Sequence, residues 1–268
     1  TVSVTINGTA VPALSMRLSA SGPGLATFAH SSGYKPDPAI LLSLISSGTL
    51  REGENDVVYS NVYTIKGKTR SRAARGRIFV WPSDTLLVVS DIDGTITKSD
   101  VVGLVDSIGM DGTLSHTHGG VCEFYRGLEG KGVKFVYLTS RPISLMSYTR
   151  RFISTLNQSG HTLPSGLMLC HTGSVREVLV TELVRKNPDK FKEDALRRQV
   201  IVPFAAAGRK QEDKLFIAGF GNKLTDMRAY AAVGMSLEDI YIIDKKSAML
   251  CESERAQLEV EAFDAVRG

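Results

Sequence analysis

Two aspartates stand two positions apart, directly after an apolar segment. Residues 86–90 are predicted to form a buried strand, and Asp91 and Asp93 follow it, so both carboxylates can lean to the same side of the strand end. Neighbouring carboxylates are costly to bury unless a cation neutralises them, and Mg²⁺ prefers such oxygen ligands. Gly94 permits a tight exit from the strand, and Thr95 supplies a hydroxyl for a phosphate. The pattern therefore predicts metal-assisted phosphate chemistry, although an aspartate-rich turn that caps the next helix is the alternative.

A second predicted strand, residues 134–138, ends in Thr139, Ser140 and Arg141. These residues offer hydroxyl and backbone N–H groups where a helix is predicted to begin, at Pro142, and a helix N-terminus favours phosphate binding. Arg141 could anchor the phosphate as well, or it could only pair with a neighbouring acid. Each residue type alone is more often found in a turn than in a catalytic site, so the prediction depends on their position at a strand end.

A third predicted strand, residues 214–220, precedes Asn222 and Asp226, whose oxygens are suitable metal ligands. A lysine is also needed to balance the charge of the nucleophile and of the transferred phosphoryl group, and Lys192 and Lys214 fit equally well from the residues alone. The carboxyl ends of parallel strands meet at one edge of a sheet. The three segments together therefore predict a single site.

The chain has two regions with different sequence patterns, and these patterns indicate which elements position the residues named above. Residues 1–80 carry short alternating and β-branched segments, with an Asn-Gly turn signal at residues 7–8, which predicts a small immunoglobulin-like β-sandwich. Residues 81–268 alternate apolar strands with helical segments, and this pattern predicts a doubly wound parallel sheet. Residues 40–48 fit either a short helix or a buried strand. A capping-box pattern predicts a helix over residues 174–185.

Composition narrows the class of protein. The chain has 268 residues, 43% of them hydrophobic, and a formal net charge of +4, which is ordinary for a globular protein. The three cysteines have no metal-binding spacing, which favours a reducing, cytoplasmic compartment and argues against disulfides and zinc. The first residues carry neither signal-peptide nor transit-peptide features, and no apolar run approaches the roughly 18 residues that cross a bilayer.

Longer segments around these residues match a known family. They are NDVVYS, RIFVW, VVSDIDGTITKSD, KFVYLTSRP, LPSGLML, NPDKFK and GFGNKLTDMRAY, and with the N-terminal region they cover nearly the whole chain. They resemble the lipin phosphatidate phosphatases of the haloacid-dehalogenase superfamily. The family's aromatic-plus-histidine pattern before the next predicted helix appears here as His116-Thr117-His118-Gly119, so a histidine is retained. No catalytic role follows for either, and a helix-capping histidine is the simpler interpretation.

The resemblance implies a fold and a mechanism. The fold would be a Rossmann-like haloacid-dehalogenase domain without a large cap, preceded by the β-sandwich. Asp91 would attack phosphorus to form an aspartyl-phosphate, and Asp93 would act as general acid and then as general base. Thr139 and Lys192 would hold the phosphoryl oxygens, with Lys214 as the second choice of lysine. The expected Mg²⁺ ligands are Asp91, the Asp93 backbone carbonyl, and Asn222 or Asp226.

The resemblance also implies the substrate. It would be phosphatidate in anionic membranes, hydrolysed to diacylglycerol and phosphate by a peripheral protein of the endoplasmic reticulum or nuclear envelope. An open site suits a phosphate presented on a surface. The alternatives are a phosphatase for phosphoproteins or soluble phosphomonoesters and, in a different class, a catalytically idle lipid-binding module.

A basic segment is a candidate for the membrane-facing surface. At a period of two, its cations are predicted to share one face of a strand, namely Lys66, Lys68, Arg70 and Arg72. Such cations attract an anionic bilayer, but they would equally suit a solvated strand face that discourages aggregation. Nucleic-acid binding is not expected, because no aromatic residues stand among the cations.

Overall fold

The computed structural model describes residues 1–18, 26–29, 33–98, 116–171, 188–210 and 212–250. The chain divides into two units, Thr1–Pro82 and Ser83–Gly268. The helix predicted over residues 174–185 and the cysteine at position 251 lie outside the described residues. Among the described residues, no helix is both long and apolar enough to cross a bilayer.

The first unit is an antiparallel sheet with one helix. Its elements are β1 (Val2–Ile6), β2 (Thr9–Ala10), β3 (Met16–Leu18), β4 (Ala26–Phe28), α1 (Pro38–Ser46), β5 (Gly53–Ile65) and β6 (Lys68–Val80), with a 3₁₀ turn at Pro12–Leu14. The strand order is β4-β3-β1-β5-β6, and β2 pairs with β1. Val4, Ile6 and Val57 are buried in its core, together with Leu44 of α1. The predicted turn at residues 7–8 joins β1 to β2, with both residues at positive φ.

Two expectations for this unit have different outcomes. The immunoglobulin-like sandwich is not confirmed, because the described residues of the unit form one sheet rather than two. The ambiguous segment at residues 40–48 lies mostly in α1. Asp37 caps this helix by accepting a hydrogen bond from Ala39 N at 2.8 Å, and Pro38 occupies the first turn.

The basic segment differs from its prediction at one residue. β5 and β6 form a hairpin whose pairing ends at Ile65 and Lys68, so Lys66 and Gly67 form its two-residue turn. Both have positive φ, 48° and 70°, as a tight hairpin turn requires. Lys66 therefore does not share the strand face that carries Lys68, Arg70 and Arg72.

The second unit is built around a five-stranded sheet. Its elements are β7 (Leu87–Asp91), α2 (Val121–Glu129), β8 (Lys134–Pro142), α3 (Met146–Thr155), β9 (Asn157–Gln158), β10 (His161–Thr162), β11 (Gly166–His171), α4 (Pro188–Leu196), α5 (Val202–Ala206), β12 (Phe216–Gly221), α6 (Leu224–Ala232) and β13 (Ile240–Ile242). A π-helical turn, Arg197–Ile201, joins α4 to α5. β9 pairs with β10 in a separate small hairpin. The order of the large sheet is β11-β8-β7-β12-β13, and every pair in it is parallel.

The sheet confirms the predicted α/β architecture. β7 is buried along its whole length, as expected for a strand covered on both faces. From β7 the chain moves outward through β8 and β11 on one side, and β12 and β13 lie on the other. The strand order therefore reverses between β7 and β12, and parallel sheets bind ligands beside such a reversal.

The end of β8 differs from its prediction. The strand continues through Thr139 and Arg141 to Pro142, and α3 begins only at Met146 after a 3₁₀ turn. Thr139, Ser140 and Arg141 therefore belong to the strand end rather than to a helix N-terminus. The expected phosphate cradle of helix N–H groups does not form at these residues.

Candidate active site

Three charged side chains from separate elements meet in the interior at the carboxyl edge of the sheet. Asp91 is the last residue of β7, Lys192 lies on α4, and Asp226 lies in the first turn of α6. Lys192 Nζ donates to Asp91 Oδ1 at 2.6 Å and to Asp226 Oδ1 at 2.5 Å. The three side chains are only 4%, 7% and 1% exposed for Asp91, Lys192 and Asp226. We call them the buried triad.

Asp226 also fixes the loop that follows β12. Its Oδ2 accepts hydrogen bonds from Asn222 N and Lys223 N, each at 3.0 Å. Gly221, the last residue of β12, allows this close approach, because a Cβ there would lie 2.4 Å from the Cβ of Asp226. Both oxygens of Asp226 are thus in use, one for Lys192 and one for the loop.

Asp93 belongs to a second ion pair beside the triad. Arg141 donates to it through Nε, at 3.0 and 3.1 Å from the two oxygens, and through Nη2, at 2.5 Å from Oδ1. Thr139 Oγ1 donates to Asp93 Oδ2 at 2.9 Å. Arg141 Nη1 in turn reaches Thr149 Oγ1 of α3 at 3.2 Å. Of the two roles considered for Arg141, this arrangement corresponds to pairing with a neighbouring acid.

The turn after Asp93 contributes one hydrogen bond to Asp91 and a second that holds the turn itself. Thr95 Oγ1 donates to Asp91 Oδ2 at 3.3 Å, and Gly94 N donates to Thr97 Oγ1 at 3.1 Å. Gly94 has a φ of 88°, a conformation that favours glycine. Ser140 lies between Thr139 and Arg141 on β8, and it is partly exposed.

His118 does not cap the helix that follows it. Its Nε2 lies 3.3 Å from the carbonyl of Gly94, so it must donate there, and its Nδ1 accepts from Ser247 Oγ at 2.7 Å. Burial lowers the pKa of His118, consistent with this neutral ring. The helix α2 is capped by Gly120 without a side-chain hydrogen bond. The helix-capping interpretation of His118 is therefore wrong, and this residue ties the turn at Gly94 to the loop after β13.

The two candidate lysines lie in different places. Lys192 contacts Asp91, whereas Lys214 precedes β12, at the amino end of the strand, and pairs with Asp239 Oδ2 at 2.7 Å. The Lys214 side chain is 58% exposed. The structure thus brings Lys192, and not Lys214, to the carboxylates.

The electrostatics of the triad favour a bound cation. Burial raises the pKa of Asp91 to about 7; Lys192 opposes that rise, and the charges of Asp226 and Asp93 add to it. For Lys192, burial favours the neutral amine, but the two carboxylates of the triad outweigh it and raise its pKa above the usual value. The site with the Asp93 ion pair included contains three carboxylates and two cations, namely Asp91, Asp93 and Asp226 against Lys192 and Arg141. A divalent ion would turn this excess of negative charge into an excess of positive charge, which a phosphate requires.

The donor groups at this edge fit Mg²⁺. Within the described residues, no three His, Cys, Asp or Glu side chains form a ready metal cluster. Mg²⁺ also accepts carbonyl and amide oxygens, and Asp91, the Asp93 carbonyl and Asn222 are candidates to supply its oxygen ligands. Asn222 is partly exposed and makes no side-chain hydrogen bond to the described residues. Asn222 or Asp226 could complete the ligand set, but Asp226 would have to share its oxygens with the Lys192 ammonium and two loop amides.

Comparisons with known proteins identify the family. Residues 41–264 match the family described as LNS2 (Lipin/Ned1/Smp2). The chain is 31% identical over 228 residues to "Phosphatidate phosphatase LPIN1" of Homo sapiens, a match that covers 84% of this chain and 24% of the human protein. It is 33% identical over 204 residues to "Phosphatidate phosphatase PAH1" of Arabidopsis thaliana, covering 75% and 21% of the two chains.

A third relative is "Phosphatidic acid phosphohydrolase 1" of Saccharomyces cerevisiae, 32% identical over 208 residues, with 76% of this chain and 23% of the yeast protein covered. Each match therefore spans less than a quarter of the curated relative. Residues 41–264, which match the family, include the buried triad and the Asp93 ion pair. The resemblance inferred from the motifs is confirmed, and the chain belongs to the LNS2 (Lipin/Ned1/Smp2) family.

Proposed function

We propose that the protein is a Mg²⁺-dependent phosphatidate phosphatase, which hydrolyses phosphatidate to diacylglycerol and phosphate. The observation that supports this most is the buried triad, because a carboxylate held by a buried lysine beside a second aspartate is arranged for nucleophilic attack on phosphorus. The names of the relatives support phosphatidate as the substrate. An idle lipid-binding module would have no use for three buried charges, which are costly to retain without a function.

Asp91 is the proposed nucleophile. Lys192 and Thr95 hold its two oxygens in a fixed direction, so little reorientation precedes attack. The bond from an Asp91 oxygen to phosphorus forms while the bond from phosphorus to the glycerol oxygen breaks, which gives an aspartyl-phosphate. Lys192 also lies close enough to balance negative charge on the phosphoryl oxygens, and Thr139 would donate to one of them by giving up its hydrogen bond to Asp93.

Asp93 is the proposed acid and base. It would carry a proton at the first step, which requires Arg141 and Thr139 to release one of its oxygens. It gives that proton to the departing glycerol oxygen and so releases diacylglycerol. In the second step the Asp93 carboxylate takes a proton from water, and the resulting oxygen attacks phosphorus. The bond to Asp91 breaks, phosphate is released, and Asp91 is restored.

Asp91, the Asp93 carbonyl and Asn222 are the proposed ligands of Mg²⁺, with Asp226 acting through Lys192 and the loop. When bound, the ion would draw negative charge from the phosphate and lower its repulsion by Asp91. Gly94, Ser140 and Arg141 complete the proposed surroundings of the phosphate. Arg141 would reach a phosphate only by giving up part of its contact with Asp93.

The domain organisation and the cellular location of the protein are proposed from the family resemblance. We propose an antiparallel β domain over residues 1–80 and a haloacid-dehalogenase domain without a large cap over residues 81–268, in a cytoplasmic protein that associates peripherally with anionic membranes. By resemblance the membrane would be the endoplasmic reticulum or the nuclear envelope. An uncapped site accepts a phosphate that stands on a surface, and this supports a lipid substrate.

The experiment is phosphate release from phosphatidate in mixed micelles, with and without Mg²⁺. We expect release only with Mg²⁺ and none from the Asp91→Asn variant. Glycerol 3-phosphate and a phosphoserine peptide serve as competing substrates. Efficient hydrolysis of either, with phosphatidate left intact, would replace the lipid proposal by one of the alternative phosphatases.

A further inference from the structure

The distal end of the β5–β6 hairpin is rich in exposed residues. β5 and β6 stay paired up to Ile65 and Lys68, on either side of the two-residue turn. We call residues 62–72, the end of this hairpin with its turn, the ribbon. All of its β6 residues are exposed.

The charge of the ribbon is entirely positive. It contains four cations and no acidic residue, and the four equal the formal net charge of the whole chain, +4. None of the four forms a salt bridge within the described parts of the chain, whereas Arg77 further along β6 pairs with Glu54 at 2.9 Å. Their positive charge is therefore available to an anionic partner.

The ribbon also exposes apolar side chains. Val62 is 66% exposed and Ile65, next to the turn, is 53% exposed. Tyr63 lies under the guanidinium of Arg72, at 5.9 Å from the ring centroid. Alternation along the strands places Val62 on one face and Ile65 on the other, so a flat approach by either face would leave one of them in water. Approach by the tip lets Ile65 and Lys66 make contact first.

We propose that this ribbon docks tip-first on an anionic lipid bilayer, with Ile65 entering the headgroup region and the cations binding lipid phosphates and carboxylates. The proposal rests on the proposed function, since phosphatidate is itself an anionic bilayer component. Apolar side chains flanked by cations and a tyrosine are typical of membrane-interface segments. A nucleic acid would attract the same cations but would gain nothing from exposed Val62 and Ile65.

The first experiment measures binding without turnover. Sedimentation with vesicles of phosphatidylcholine, with and without phosphatidylserine, is compared for wild type and for a variant with Lys66→Gln, Lys68→Gln, Arg70→Gln and Arg72→Gln. Each juxtamembrane cation contributes about fivefold to the partition coefficient, so we expect a loss on the order of 10²-fold after salt screening. The loss should be confined to vesicles that contain phosphatidylserine.

A matched control removes the same charge elsewhere. It carries Arg17→Gln, Arg51→Gln, Lys131→Gln and Arg151→Gln, all at exposed positions outside the ribbon and the triad. This control should bind vesicles nearly as well as wild type. Equal losses in the two variants would mean that only net charge matters, and would overturn the proposal.

Insertion of the tip has its own measurement. The chain has a single tryptophan, Trp81; in a Trp81→Phe background, Ile65→Trp should show a blue-shifted fluorescence spectrum when phosphatidylserine vesicles are added. The absence of a shift despite binding would overturn the tip-first geometry. Loss of affinity for duplex DNA in the ribbon variant, with vesicle binding unchanged, would overturn the choice of partner. Ribbon-dependent vesicle binding by a protein that releases no phosphate from phosphatidate would contradict the proposed function alone.

Discussion

Removing Lys192 should separate the proposed catalytic role of the buried triad from its structural role. The lysine holds two carboxylates within 2.6 Å of its ammonium, and all three side chains are almost fully buried. Lys192→Met keeps most of the apolar stem but removes the charge. Asp91 and Asp226 would then face each other without compensation.

The size of the effect follows from this burial. Breaking a buried ion pair on one side costs about 3–5 kcal/mol in the free energy of unfolding, because the remaining charge stays desolvated. The rate of phosphoryl transfer should fall about 10²- to 10³-fold, as it does when one preorganised donor to a transition-state charge is lost. For Lys214→Ala, whose ion pair is exposed, we expect a loss of at most about 1 kcal/mol and no change in rate.

A double variant tests whether the loss of rate is only a consequence of the loss of stability. Lys192→Met with Asp226→Asn removes one charge of each sign from the triad and should recover much of the thermal stability. We expect its kcat for phosphatidate in mixed micelles, at saturating Mg²⁺, to stay low. Thermal unfolding and phosphate release are measured on the same four proteins: wild type, both single-lysine variants and the double variant.

Two results would refute this reasoning. Activity that returns together with stability in the double variant would mean that Lys192 serves only to hold the fold. A Lys192→Met protein with more than about a tenth of the wild-type kcat would mean that the charge is not needed at the transition state.

The remaining predictions concern the aspartates and their partners. Asp91→Asn should abolish phosphate release while leaving the circular dichroism spectrum unchanged, and residual turnover would exclude Asp91 as nucleophile. Asp93→Asn should slow phosphatidate hydrolysis about 10²- to 10⁴-fold but p-nitrophenyl phosphate much less, since that leaving group departs without a proton; equal losses would contradict acid catalysis. Arg141→Gln should show the same dependence on the leaving group, because Arg141 holds Asp93, and a loss confined to KM would instead indicate phosphate binding. Because the pKa of Asp91 is raised to about 7, Mg²⁺ must displace a proton at lower pH. Its apparent affinity by calorimetry should therefore fall about tenfold per pH unit below that value, and a pH-independent affinity would argue against Asp91 as a ligand.

The strands of the five-stranded parallel sheet were predictable because their signals are local. The apolar run that precedes Asp91 and Asp93 can be recognised directly in the sequence, and in the structure it forms β7, which ends at Asp91. The parallel arrangement follows from helices between strands, and it places Asn222 at the same edge. The signal for α1 was also local, since an aspartate and a proline at positions 37 and 38 are typical of a helix start.

Contacts between distant residues were not predictable in this way. Lys192 and Asp91 are 101 positions apart. The residues alone left Lys192 and Lys214 open and the family resemblance favoured Lys192, but its contact with Asp91 depends on the packing of α4 against the sheet. Thr149 holds Arg141 from the middle of a helix, where no sequence signal marks it. His118 bridges two loops whose approach depends on the tertiary structure. The turn at Lys66, by contrast, could have been recognised from the glycine that follows it.

Gly221 has a consequence for judging related chains and inherited variants. Any side chain at this position would meet the Cβ of Asp226 at 2.4 Å, so Asp226 would have to withdraw from Lys192 and from the loop amides. We therefore expect Gly221→Ala to inactivate the protein while every ionisable group of the site is still present in the sequence. A survey that checks only the aspartates and the lysine would classify such a chain as a working enzyme. Whether position 221 is a glycine is thus as informative about activity as whether the carboxylates are present.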